Sequence, residues 1–147
     1  GILMHIVIKC SILFLLALFL IVGINSISRS ETIDDLVYRE GQFYQKFTDI
    51  PFNGALVGMQ QGMISNGKKQ GAWLEFWITG QLKGKGNYQD GMKTGQWLWF
   101  FTNGQLMGRG EYRQDKEEGE WLFLLRDGTN NLLTSGTYKE GKKIDVN

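Results

Sequence analysis

Apolar and polar residues alternate with period two along most of the chain beyond Gly71, and the alternation itself recurs in copies that open at Gly71, Gly95 and Gly119. In the first copy Trp73, Glu75 and Trp77 fall on one side, with Ala72, Leu74 and Phe76 on the other. Trp97, Trp99 and Phe101 oppose Leu98 and Phe100 in the next, and Trp121, Phe123 and Leu125 oppose Leu122 and Leu124 in the third. Period two predicts strands. Large apolar residues on both sides predict strands covered on both faces, or half-covered by a neighbouring layer.

A second strand pattern follows each of the first two. Leu82, Gly84, Gly86 and Tyr88 share one side against Lys83, Lys85, Asn87 and Gln89. Leu106, Gly108, Gly110 and Tyr112 oppose Met107, Arg109, Glu111 and Arg113. One face is therefore polar, and the other carries paired glycines. A glycine inside a strand is entropically costly, so its presence there predicts close approach by a neighbouring group, and an indole stacked over bare backbone fits. Asn103-Gly104 and Asp127-Gly128 predict tight turns within units, and Asp90-Gly91 and Glu140-Gly141 turns between or after them. Asp115 stands where the middle copy needs a glycine, and a short Asp tolerates the left-handed conformation. Tyr138 follows Tyr112 two positions later than Tyr112 follows Tyr88, which predicts a two-residue insertion near Thr129 to Asn131.

The expected architecture is all-β: an open antiparallel sheet of β-hairpin repeats, a meander, preceded by an N-terminal hydrophobic helix. Residues 1–28 read as a signal peptide or membrane anchor, residues 29–50 as a capping segment and residues 51–147 as the repeat domain. Its units run over about 51–70, 71–94, 95–118 and 119–143, the first a shortened copy with Ile64 in the tyrosine's place. Glu31 to Tyr38 and Gly41 to Tyr44 predict a strand and hairpin capping one end, and Lys142-Lys143-Ile144 closes the other.

Composition supports a folded repeat. The chain has 20 Gly and a single Pro with 13% aromatic residues, and glycines and rings alternate in register, unlike a linker. The run from Cys10 to Ile24 is almost purely apolar, with Lys9 before it and Ser26-x-Ser28 after it. Its length of about 15 residues falls short of the ~20 that span hydrocarbon, so it reads as an export signal cleaved before Arg29. A helix beginning near Ile2, with Lys9 snorkelling, instead crosses a bilayer and ties residues 6–24 to the membrane. Cys10 and His5 are the only cysteine and histidine, so the expected exported part has no thiolate, imidazole or Cys/His metal chemistry. Lys9 aside, 15 basic residues face 15 acidic ones, a balance that disfavours nucleic-acid binding.

The pattern Gly-x-Trp-x-x-Phe-aromatic, x-x-Gly-x-Leu, Gly-x-Tyr-x-x-Gly resembles MORN repeats, in their bacterial variant form, and is similar to proteins labelled YwqK-family antitoxins. The resemblance covers about Leu36 to Lys143. It includes Leu36 to Tyr44, Pro51-Phe52-Asn53-Gly54 and Asn66 to Trp73, and departs at Asp115 and at Leu124-Leu125. It implies an antiparallel repeat sheet with a binding role and no catalytic residues. Cell-wall-binding repeats, choline-binding ones included, combine the same residue types at a shorter period.

Candidate chemistry is correspondingly thin. A glycosidase needs two carboxylates about 5 to 9 Å apart, one with a raised pKa. Of Glu75, Glu111, Glu117, Glu118 and Glu120, the pattern places Glu111 and Glu120 toward solvent and Glu117-Glu118 in a turn. The ring ladder Trp73, Trp77, Trp97, Trp99, Phe101, Trp121 and Phe123 reads first as core and second as a recognition stripe for sugar, peptide or an apolar anchor. Lys83, Lys85, Arg109, Arg113 and Lys139 predict a mildly basic strip on the polar face, broken by Glu111. The expectation is a non-enzymatic, cofactor-free protein of the cell envelope. It binds another protein, a toxin in the antitoxin version; the alternative is cell-wall glycan, choline or lipid headgroup.

Overall fold

A computed structural model describes residues 30–145; the expected N-terminal helix lies outside them. Ten strands form one open sheet, with neighbours in chain order apart from the first: β1 (Glu31–Thr32), β4 (Gly54–Val57), β5 (Gln60–Ser65), β6 (Lys68–Phe76), β7 (Leu82–Gln89), β8 (Met92–Phe100), β9 (Leu106–Arg113), β10 (Lys116–Phe123), β11 (Gly136–Lys139) and β12 (Lys142–Lys143). All pairs are antiparallel except β1 on β4. A separate hairpin of β2 (Leu36–Arg39) and β3 (Gln42–Gln45) joins the sheet through Phe43 N–H to Gly67 O (2.7 Å) and Phe52 N–H to Phe43 O (2.9 Å). The predicted lead-in strand is broken by one 3-10 turn at Ile33–Asp35. Asp35 draws the chain over by accepting from the Thr32 N–H and hydroxyl.

Each Gly-x-Trp is a bulge. Gly71-Ala72-Trp73 lies opposite the single residue Gly62, Gly95-Gln96-Trp97 opposite Gly86, and Gly119-Glu120-Trp121 opposite Gly110. The first glycine of each bulge has φ of +69°, +65° and +71°, and open space where a Cβ would go. It is there for conformation. The opposing glycine is there for room: a Cβ on Gly86 would lie 2.2 Å from the Trp97 ring, and one on Gly110 2.1 Å from Trp121. The bulge swings each indole over the preceding strand, where the missing side chain leaves a seat. Trp97 Nε1 then donates to Asn87 O and Trp121 Nε1 to Glu111 O, at 3.1 and 3.0 Å, so the buried indoles leave no donor unpaired.

A second row repeats the device. Trp99 covers Gly84 and Phe123 covers Gly108. In the first unit the ring is replaced by Glu75, and its partner on β5 is Gln60 rather than glycine. Where no ring has to be seated, the backbone carries a side chain.

The core is this one face. Trp73, Trp97 and Trp121 are buried with Tyr88, Tyr112, Ile64, Leu56, Phe52 and Leu36. Trp73, Tyr88, Trp97, Tyr112 and Trp121 meet edge to face in succession, with centroids 4.9 to 6.1 Å apart. Full burial on both faces does not occur among the described residues. Leu98, Leu122, Phe100 and Leu124 are half-buried and Leu74 is exposed, because no second layer of described residues lies on that side. The two-residue turns behave as the sequence predicts, Asp115 included, with φ +65°. Its carboxylate accepts from Lys93 N–H at 2.8 Å. The insertion sits slightly later than expected. The turn at Arg126-Asp127-Gly128 keeps the bonds of its counterparts, and the added residues form the Asn131–Ser135 turn, where the Ser135 hydroxyl bridges Phe123 N–H and C=O.

Gly110→Ala should cost at least about 3 kcal/mol, at the upper end of overpacking penalties, since an indole cannot yield against backbone. Gly104→Ala, at φ +83° with only Gln81 within 4 Å, should cost about 1 to 2 kcal/mol. Urea unfolding of both variants checks the order; the reverse order would refute a seating role.

Candidate functional site

The eleven residues expected to bind are divided by the fold into four groups. Trp73, Trp97 and Trp121 are 1%, 0% and 2% exposed, so they belong to the core and present no recognition surface. Trp99 and Phe123 lie on the same face, half-buried, stacked on Trp97 and Trp121 at 5.1 and 5.3 Å. Trp77 and Phe101 directly follow β6 and β8 at the three-residue loops, where Lys83 and Arg126 place their cations over the rings at 4.9 and 5.1 Å. Lys85, Arg109 and Arg113 are exposed on the opposite face.

The basic strip does not form as a continuous row. Register gives Leu74, Lys85, Leu98, Arg109 and Leu122 in line across β6 to β10. Basic positions on β7 and β9 are separated by the leucine of the strand between them. Arg113 is drawn aside toward Glu118 at 3.8 Å. The result is a row, without a second layer among the described residues, in which leucines and cations alternate. Among the carboxylates, Glu111 and Glu120 are exposed as expected. Glu117 and Glu118 lie in β10 instead of a turn, because Gln114-Asp115 alone completes the hairpin. Glu75 is on the ring face, 3.5 Å from the Tyr88 hydroxyl.

The ring face also holds two residues outside the expected set. Lys69 lies 4.4 Å from the Trp73 ring and 4.9 Å from Tyr88, and donates to Gln60 Oε1 at 2.7 Å. Lys93 sits 4.9 Å from Trp99, 5.0 Å from Tyr112 and 5.4 Å from Trp97. Both lysines stand in the same Lys-x-x-x-Trp spacing, and that spacing is the signal that locates them. Gly62 is the other omission; it is legible as Gly-x-Ile aligned with Gly-x-Tyr.

Burial sets the electrostatics of this face. Desolvation holds Lys69 below the ordinary lysine range, with Glu75 opposing the shift and Lys93 adding to it. Tyr88 is raised, first by burial and then by Glu75. Tyr112 is pushed up to about 12, first by burial and then by the charge of Glu117. Tyr138 is raised by burial, then by Glu117 and Asp145.

No family model matches this chain, and no curated protein matches it.

A tyrosine whose folded pKa exceeds its unfolded value of 10.0 is stabilised in its neutral form, and that contribution is whole below pH 10. It is lost as pH rises through about 12 for Tyr112. Absorbance at 295 nm should show Tyr88 and Tyr112 ionising late in the folded chain. Urea, or the substitutions Tyr88→Phe and Tyr112→Phe, should remove the late step. A single tyrosine transition near pH 10 in the folded chain would contradict the packing.

Proposed function

We propose that the chain is a non-enzymatic, protein-binding repeat scaffold of the MORN-like kind, working in the cell envelope by export or by tethering through its apolar N-terminal segment. In the antitoxin version it neutralises a partner by occupying its active surface. The observation that carries the reading is the row Leu74, Lys85, Leu98, Arg109 and Leu122, over which no second layer of described residues lies. Half-exposed leucines spaced by cations on a regular sheet offer apolar contact and charge register together, the combination that suits a protein with apolar anchors flanked by carboxylates.

A second reading, a binder of cell-wall glycan, choline or lipid headgroup, draws on a different edge. Trp77 and Phe101 border the three-residue loops, and Ile78 at that edge is 91% exposed. Rings and an exposed aliphatic tip at a loop edge suit sugar stacking or a headgroup layer.

The two readings separate experimentally. The full chain, tagged at its C-terminus and held in non-ionic detergent, should capture one protein stoichiometrically from envelope extract. Leu98→Glu, a half-exposed position, should reduce that capture about tenfold or more while leaving the melting transition in place. Pelleting with purified cell wall or anionic vesicles, reversed by choline or sugar and indifferent to Leu98→Glu, would replace the first reading by the second.

A further inference from the structure

Where the capping hairpin meets the repeats, the ring face stays open. A pocket of about 310 Å³ remains there, with Tyr38 and Phe43 of the hairpin on one side and Lys69, Tyr88 and Lys93 of the sheet on the other. Tyr38 is 63% exposed and meets Phe43 at 4.8 Å between centroids, so the hairpin wall is aromatic and reached by solvent. Tyr88 stands between the two lysines, because β7 lies between β6 and β8. The arrangement depends on the hairpin and on the first two units, since the third carries Glu117 where those carry Lys69 and Lys93.

The pocket holds more positive charge than its own walls neutralise. Lys68, Lys69 and Lys93 line it against a single carboxylate, Asp115, whose Oδ1 already accepts from the Lys93 N–H at 2.8 Å. No ion pair within 4 Å engages Lys69 or Lys93 among the described residues. Lys69 donates to the neutral Gln60 Oε1 at 2.7 Å, and both ammoniums otherwise rest against rings at 4.4 to 5.4 Å. An ammonium has three donors, so each lysine keeps donors for a further partner. Burial first, and Lys93 beside it, act against the charge on Lys69, with Glu75 and Asp115 opposing from beyond ion-pair distance. An anion in the pocket relieves both effects.

We infer that this pocket binds the carboxylate of a small organic acid, with Lys69 and Lys93 as its cationic partners and Tyr38, Phe43 and Tyr88 against its apolar body. Lysines act as point charges and impose no planar fork, so the rings set the shape of that body. The exposed Asp115 carboxylate favours a ligand with one negative charge over a dianion such as phosphate. The volume stands at the small end of ligand pockets and suits a single-ring acid. A glutamate side chain of a partner offers the same carboxylate, and the experiment separates the two sources. The inference stands apart from the protein-binding reading, which uses the opposite face.

The test uses the full chain in non-ionic detergent, with aromatic NMR signals of Tyr38 and Tyr88 as the readout. The probes are benzoate, its neutral isostere benzamide, inorganic phosphate and acetyl-Gly-Glu-Gly-amide. Benzoate should shift both tyrosines saturably and benzamide should not. Lys93→Gln should weaken benzoate about tenfold or more, and Lys93→Arg, which keeps the charge, should retain most of the binding. Lys93 also packs against three rings, so a second variant leaves that packing in place. Asp115→Asn preserves the turn and the acceptor for the Lys93 N–H, removes the rim charge and should tighten benzoate roughly twofold to fivefold. Saturation by the glutamate peptide without saturation by benzoate would overturn a free acid as the ligand, and tighter binding of phosphate than of benzoate would overturn the carboxylate. No saturable shift with any probe, equal shifts with benzoate and benzamide, or affinity unchanged in both Lys93→Gln and Asp115→Asn would overturn the site itself. Each of these failures leaves the capture experiment with Leu98→Glu standing, because that experiment reads a surface on the opposite face.

Discussion

An indole lying on a strand needs the backbone beneath it to be bare and its own backbone to be twisted toward that spot. Both conditions are met by glycine, at two different positions and for two different reasons. Gly71, Gly95 and Gly119 supply positive φ in open space, whereas Gly62, Gly86 and Gly110 supply room at ordinary φ. Remove either kind and the ring has no seat. Since Trp73, Trp97 and Trp121 are the largest buried side chains of the core, the sheet, which among the described residues has no second full layer, draws its stability from this contact. The glycines are costly in the unfolded chain, and ring burial offsets that cost once per unit.

The same contact sets where the ends of the sheet must be covered. On β5 and β4 the ring ladder gives way to Ile64 and Leu56, and the β2–β3 hairpin brings Leu36 and Phe43 over them. At the other end Gly136 pairs with Trp121 but receives no further indole; Asp145 and the stem of Lys143 occupy the space above it. A repeat ladder cannot stop on an open ring without exposing it, so each end is finished with a different residue type.

Because the core is one-sided, the protein has two chemically distinct faces. On the ring face, cations are held by aromatic quadrupoles and tyrosines are kept neutral by burial beside carboxylates. On the other, leucines and cations alternate in register, with no second layer among the described residues. The proposed protein-binding role draws on the second face.

The sequence by itself determined the repeat, its long strands, the Asn-Gly and Asp-Gly turns and the seating of rings over glycines, because each depends on local spacing: period two along a strand, Asn-Gly or Asp-Gly between strands, Gly-x-Trp once per copy. Register and layer count were decided only by the tertiary structure. Lys85 and Arg109 look adjacent on paper, yet Leu98 from the intervening strand separates them. Leu74 and Leu98 carry the pattern of residues covered on both faces, but alternation records only that a side is apolar, not whether anything is there to cover it. Lys69, Lys93 and Glu117 share one place in the repeat, and their meaning became visible only when pairing brought them against the rings. Charge and exposure on a sheet are properties of neighbouring strands, and a linear chain does not list its neighbours.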